Sequence, residues 1–364
     1  MRADEIITRR MHNNHLWGPP LGHPGDVVRR LGAMQAQEFV PAMWSVAQRS
    51  NKANIHDIER LFSEGAILRT HLLRPTWHFV FAEDIKWVLE ATAPRVHMLN
   101  GHMYRREGVD DDLAARCARL LTEALRGGGQ LTRKEVAAWF GRNGVEASGM
   151  RLAYILMRAE LDALICSGAR KGKQHTYVLL DERAPGAKVL GPDGALAELT
   201  RRYFSTRGPA TVKDYTKWSS LTMAQARSGL EMVDGEFERV EVEHRVYLTP
   251  VAPQPMPNSP VVDLIQGYDE IVSSYGESRD LILGRVGLPG TDPDPPLLHT
   301  ILLDGSLAGH WKESLGRREL TVNTTLYRSL EAKEDAALVQ AVQRFGDFYA
   351  MPARATPRPP ATTH

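Results

Sequence analysis

The sequence predicts an α+β fold: three tandem winged helix-turn-helix units over roughly residues 1–250, followed by a small β-barrel-like domain. Three observations lead there. A short motif occurs twice, a helix and a β-rich ribbon follow each copy, and a Pro-rich boundary precedes a strand-rich final segment. The motif is Thr-x-Lys-acid-x-x-x-Trp, carried by Thr132, Lys134, Glu135 and Trp139, and again by Thr211, Lys213, Asp214 and Trp218. A Thr N-cap with an acidic residue three positions on is the reciprocal capping box that opens a helix. Trp, seven residues after the Thr, falls on the inward face.

The first unit, residues 1–82, is the most diverged. Helical runs flank its "LGAMQAQEFVPAMWSVAQR" (31–49), and Pro41 suits the first turn of the second helix. "NIHDIERLFSEG" adds a helix and "AILRTHLLRPTWHFVFA" the ribbon. The second unit, residues 83–182, contains "SGMRLAYILMRAELDALICSG" (148–168), where Met150, Tyr154, Met157, Leu161 and Leu164 recur at helical spacing. Its "ARKGKQHTYVLLDE" reads as a basic turn into a ribbon. The third unit, residues 183–250, ends in "FERVEVEHRVYLTP", which alternates like a hairpin. "VAPQPMPNSP" (251–260) is a Pro-rich linker. Residues 261–350 alternate strand-like runs with turns such as Asp304-Gly305 and close on the amphipathic "EDAALVQAVQRFGDFYA". Residues 351–364, rich in Pro and Thr without apolar periodicity, are expected to form a disordered tail.

A formal net charge of +1 carries no global signature of a polyanion binder. The distribution says more: residues 1–256 hold 35 Lys+Arg against 30 Asp+Glu, and residues 257–364 hold 10 against 14. Any polyanionic partner is therefore directed weakly to the first part. Two cysteines, Cys117 and Cys166, cannot build a disulfide framework, and a reduced, cytoplasmic setting is the simplest expectation. "MRADEIITRR" lacks the apolar core of a signal peptide, and no apolar run reaches the ~20 residues of a membrane helix.

Several constellations carry chemistry. Gln35 and Gln37 stand one residue apart between apolar runs. Amides neither take nor give a proton at ordinary pH, so two of them point away from general acid/base work. On a helix, residues two apart point apart; in an extended connector they share a side. Pro41 disfavours helical geometry at Val40. An extended Gln35–Gln37 then turns both amides to one cavity and Ala36 to the core, with a helix joint or cap as the local alternative. Arg170, Lys171, Lys173 and His175 sit where a ribbon turn would meet phosphate, a solvated loop being the alternative. Lys213 and Lys217, four apart, share a helix face. His71 and His78 lack a third metal ligand at a fitting spacing, which favours core packing. Asp269 and Glu270 in "GYDE" are possible acids, with turn or ion-pair roles competing. No phosphate loop, dinucleotide fingerprint, zinc-protease signature or nucleophile elbow is present in the sequence.

"LGAMQAQEFVPAMWSVAQR", "LRPTWHFV", "RYFSTRGPATVKDYTKWSSL" and "DGSLAGHWK" together resemble the AlkZ/YcaQ-like winged-helix DNA glycosylases of bacteria, over roughly residues 5–350. The most specific element is that family's Gln-apolar-Gln or Gln-apolar-Asp motif. Gln35-Ala36-Gln37 matches the first form, that of the AlkZ branch. The resemblance implies three winged-helix units and a C-terminal β-barrel in a C shape around duplex DNA. It implies excision of N7-alkylated purines, and unhooking of interstrand crosslinks left by genotoxic natural products, as in self-resistance. Gln35 and Gln37 are then the catalytic pair, double-stranded DNA is the partner, a monomer is expected, and no metal or cofactor is called for. His310, beside Trp311 in "DGSLAGHW", becomes a candidate to probe the duplex, a plain hairpin being the alternative.

Overall fold

The structure is a computed structural model, and it describes residues 1–251, 258–283 and 299–357. The capping boxes are formed. Thr132 accepts the Glu135 N–H and Glu135 the Thr132 N–H at the head of helix Arg133–Arg142. Thr211 and Asp214 repeat the exchange for helix Val212–Ser219. Each such cap contributes about 1 kcal/mol by satisfying orphan backbone donors. Trp218 is fully buried, and Trp139 is half-buried with its indole N–H on Leu120 O.

The same order of elements recurs three times. In the first unit, helix Pro24–Leu31 leads to strand β1 (Met34–Gln35), helices Phe39–Ala47 and Ile55–Glu64, and the ribbon β2 (Ile67–Leu72) and β3 (Thr76–Phe81). The second has helix Asp111–Leu125, β4 (Leu131–Thr132), helices Arg133–Arg142 and Gly149–Leu161, then β5 (Ile165–Ser167) and β6 (Thr176–Leu179). The third has helix Pro192–Arg207, helices Val212–Ser219 and Met223–Met232, then β7 (Glu238–Val242) and β8 (Arg245–Thr249). The short strand always pairs with the second strand of the ribbon: β1-β3-β2, β4-β6-β5 and, as a single bridge, Ala210 with Leu248 of β8. Helix Ile85–Arg106 links the first two units.

Three expectations change here. Met150 is exposed, because helix Gly149–Leu161 begins one residue before it. Met157 and Leu161 of the expected pattern are buried, and Leu152, Ile155, Leu156 and Ala159 complete the buried face. The C-terminal domain is an open five-stranded sheet, not a closed barrel. Its order is β13 (Ala353–Pro357), β12 (Leu320–Leu326), β11 (Ser306–Leu315), β10 (Thr300–Leu303) and β9 (Val262–Ile265). Closure would need β13 to pair with β9. Helix Ala332–Tyr349 packs on the sheet through Leu338, Val342 and Phe345, and the Trp44 indole ties the first unit to Leu264 O of β9 at 2.7 Å. Part of the expected tail is thus the edge strand β13, parallel to β12. The rest of that tail, 358–364, and most of the expected linker, 252–257, lie outside the described residues.

The Gln-containing strand lies on a seam. Ala33 packs in the core shared by the first and third units, whereas Met34 and Ala36 pack in the core shared by the first unit and the C-terminal sheet. Among the described residues no helix is long and apolar enough to cross a membrane.

Candidate active site

β1 pairs antiparallel with β3, Met34 opposite Phe79 and Gln35 opposite His78, and Ala36 N–H continues the ladder to Trp77 O at 2.7 Å. The chain bends at Gln37 and Glu38, and helix Phe39–Ala47 starts two residues before Pro41, so Val40 is helical despite the proline that follows it. Met34 and Ala36 turn into the core. Gln35 is buried at 6% exposure and Gln37 is exposed. Gln35 Oε1 accepts Arg74 Nη2 at 2.6 Å. Arginine has only donors, so the amide must present its oxygen there. Gln37 Oε1 accepts the Trp77 N–H at 3.4 Å, a long and weak bond. Both amide oxygens therefore converge on one short segment, Arg74 to Trp77, and differ in how firmly each is held.

The surroundings of the pair are charged and almost fully bonded. Glu270 Oε1 accepts the Gln35 N–H at 2.8 Å, while its Oε2 accepts Arg207 Nη2 (2.6 Å), Ser274 Oγ (2.7 Å) and Trp218 Nε1 (2.9 Å). Burial alone would raise this carboxyl, but Arg207 and the hydroxyl of Ser274 outweigh it, and it settles at about 2. Glu270 is therefore an ionised anchor at neutral pH. Burial, with help from Arg74, lowers His78 to about 3, so its imidazole is neutral; Nδ1 bonds Thr76 O and Nε2 is left without a partner. On the other side of the ribbon, the Arg69 guanidinium lies 4.2 Å from the Trp77 ring and the His71 ring lies 3.8 Å from it. His71 Nδ1 meets Glu160 Oε2 at 2.5 Å, with Glu160 pushed upward by burial. Arg69 also caps Ala36 O through Nε at 2.9 Å.

The basic candidates separate into groups. Arg170 is drawn inward: its guanidinium sits 4.9 Å from the Phe39 ring and 3.4 Å from Glu59. His175 packs edge-on to Phe39 and Phe62, and burial lowers it to about 4, so it is a neutral packing residue rather than a cation. Lys171 and Lys213 are exposed but paired with Glu135 (3.3 Å) and Glu277 (2.6 Å). Lys173 and Lys217 are exposed. His310 is not in the hairpin turn. It lies mid-strand in β11, opposite Thr325, bonded to the Tyr327 hydroxyl, and burial lowers its pKa. The turn itself, Asp304-Gly305, presses on Ile7, and Trp311 is buried, so neither is free to reach a duplex. Asp269 forms a two-pronged buried ion pair with Arg49 (2.7 and 2.9 Å), so both acids of "GYDE" are spent on ion pairs.

Sequence reasoning missed Arg74, Trp77 and Glu160 as members of the site, while for Asp269 and Glu270 the ion-pair alternative is the one the structure forms. Arg74 and Trp77 stand within "LRPTWHFV", a segment marked as β-rich ribbon and as part of the family resemblance without either residue being singled out. It also missed the β11–β12 hairpin, whose tip exposes Leu315, Arg317 and Arg318. That hairpin is connected to the site. His299 Nε2 lies 3.9 Å from Glu38, next to Gln37, and 3.8 Å from Glu313 on β11.

The amide pair thus stands at a strand edge among three helix–ribbon units, with the neighbouring acids Asp269 and Glu270 both held in buried ion pairs. Residues 28–348 match the family model described as DNA glycosylase AlkZ-like, and the chain belongs to that family. It is 22% identical over 322 residues to an interstrand DNA cross-link repair glycosylase of Streptomyces sahachiroi, covering 85% of this chain and 87% of that protein. The solved structure of the Streptomyces sahachiroi DNA glycosylase AlkZ superposes with a TM-score of 0.79 at 20% identity, covering 98% of this chain and 100% of that one. At that identity the superposition establishes the fold.

Proposed function

We propose that the protein is a monofunctional DNA glycosylase that hydrolyses the N-glycosidic bond of N7-alkylated purines in double-stranded DNA. The carrying observation is that Gln35 and Gln37 converge on Arg74–Trp77 while the nearest buried carboxylate, Glu270, is locked in its ionised form. Alkylation at N7 places a positive charge on the base. The C1′–N9 bond then breaks with its electron pair passing to the ring, and the base leaves neutral without being protonated. What remains is an electron-poor sugar and a water that must meet C1′, releasing its proton to solvent. Positioned dipoles suffice for that, and losing one such group costs about 2.7–4 kcal/mol in related settings.

The two amides divide this work. Gln37, exposed and held only by a 3.4 Å bond, has its carbonyl available to accept a hydrogen bond from the water. Gln35, buried and gripped by Arg74, steadies the sugar and orients that water. Each helix–helix–ribbon unit has the order of a winged helix, and three in one chain arranged around the duplex make a second protomer unnecessary; we propose a monomer. Lys173, Lys217, Arg317 and Arg318 are the exposed cations assigned to phosphate, with Lys171 and Lys213 joining once their carboxylate partners are exchanged for it. The relative's crosslink repair extends the proposal to bulky N7 adducts and interstrand crosslinks.

Incubation with a duplex carrying N7-methylguanine, then with an N7-crosslinked duplex, tests the proposal by alkali-labile abasic sites. Wild-type protein is expected to form them and the Gln35→Ala/Gln37→Ala pair to lose them. Binding without abasic product would make the protein a DNA-binding factor rather than an enzyme.

A further inference from the structure

We propose that Glu270 is a positioning residue for this reaction, its two oxygens divided between holding the fold and holding the catalytic strand in register. The inference rests on the glycosylase reading and deepens it. Oε2 gathers the donors of Arg207, Trp218 and Ser274, all from the third unit and the C-terminal segment. Oε1 reaches across to the first unit and accepts the Gln35 N–H at 2.8 Å. Arg207, paired with Oε2, sends its other N–H groups to Leu31 O (2.9 Å) and Ala33 O (2.8 Å). The ion pair therefore grips the backbone at Leu31, Ala33 and Gln35, every second residue on the way into the motif.

The side chain of Gln35 is held from the same place. Ser273, three residues beyond Glu270, accepts Arg74 Nη1 through its carbonyl at 3.4 Å, and Arg74 Nη2 holds Gln35 Oε1 at 2.6 Å. Both ends of Gln35 are thus referred to one short C-terminal segment, Glu270–Ser273. That segment, far from Gln35 in sequence, becomes part of the catalytic apparatus without touching substrate. Reactions that depend on placed dipoles lose rate steeply when the dipole moves by an ångström.

Glu270→Gln separates the two oxygens. The amide oxygen must face the three donor groups of Arg207, Trp218 and Ser274, which turns its NH2 toward the Gln35 N–H, donor against donor. The variant is expected to bind duplex like wild type while its single-turnover excision rate on N7-methylguanine falls by about tenfold or more. Glu270→Asp keeps the charge for Arg207 but is one methylene too short to serve Gln35 as well, and is expected to show the same split. Thr211→Ala is the control for lost stability alone: a lower melting temperature with unchanged excision. A readout free of substitution accompanies these. In selectively 15N-glutamine-labelled wild-type protein, the Gln35 backbone N–H should exchange with solvent far more slowly than that of Gln37. Wild-type excision by folded Glu270→Gln, or equally fast exchange at Gln35 and Gln37, overturns the positioning role. Absence of excision by wild type would instead overturn the glycosylase reading, and the exchange measurement would still decide whether the grip on Gln35 exists.

Discussion

The same structural slot is filled in two different ways. In the second and third units, the residue that ends the short strand or follows the bridge, Thr132 or Thr211, immediately caps the next helix. In the first unit, β1 ends at Gln35, three residues intervene, and helix Phe39–Ala47 begins after an N-cap, Glu38, that makes no side-chain capping bond. Pro41 explains the missing cap. It stands at the third helical position, where the N–H that a capping residue would bind does not exist. The first unit gives up local stabilisation and leaves two polar side chains uncommitted to the helix. It is held instead from outside, by Glu270 on Gln35 and Asp269 on Arg49. Breaking a local rule where an external brace compensates is what a functional position looks like energetically.

The largest effect that sharpens this contrast is on the brace itself. Asp269→Ala leaves Arg49 charged and buried, and loss of a buried partner costs about 3–5 kcal/mol; chemical denaturation should show a loss of that size. Next comes the chemistry. Gln37→Ala should lower the single-turnover excision rate by at least about tenfold with little change in duplex affinity. Gln37→Asp, which retains an acceptor oxygen, should stay active; an inactive Asp variant would show that the amide itself is needed.

Acid should loosen the first unit. Burial depresses His78 to about 3 from the ordinary 6.5, so the stability tied to its neutral form is complete above pH 6.5. That stability is lost as pH falls from there toward about 3, amounting to about 2 kcal/mol by pH 5. His15 and His175, each lowered to about 4 chiefly by burial, act in the same direction. The melting temperature should fall between pH 7 and pH 5, and His78→Asn, which keeps a donor for Thr76 O, should show a smaller fall. The smallest effects belong to the capped units. Thr132→Ala should cost about 1 kcal/mol and leave excision unchanged.

Legibility followed the range of the interactions. The capping boxes at Thr132 and Thr211 are local, and the spacing alone revealed them. The first unit was harder to see because its helix Phe39–Ala47 lacks that box, and Gln35 and Gln37 stood out as paired amides ahead of a proline and through the family motif. Arg74 and Trp77 became members of the site through cross-strand register, which no local pattern encodes. Glu160 sits inside an apolar run and gives no sign that it will meet His71 from another unit. The barrel expected of the C-terminal domain and the disorder expected at 353–357 were misread for one reason. Whether β13 pairs, and with which strand, is a long-range matter, and Pro and Thr content argues only about local preference. His175 was read with the basic turn and His310 as a candidate duplex probe, although their neighbours in space half-bury both.

The claim that neutral amides carry the chemistry is tested most directly by the pH dependence of single-turnover excision on an N7-methylguanine duplex. Between about pH 5.5 and 9, where neither amide titrates and Glu270 stays ionised, the rate constant should be flat for protein that remains folded. A rising or falling limb that follows a carboxyl or imidazole titration and disappears on substituting that residue would contradict it, and would move the catalysis from the dipoles of Gln35 and Gln37 to an acid or base.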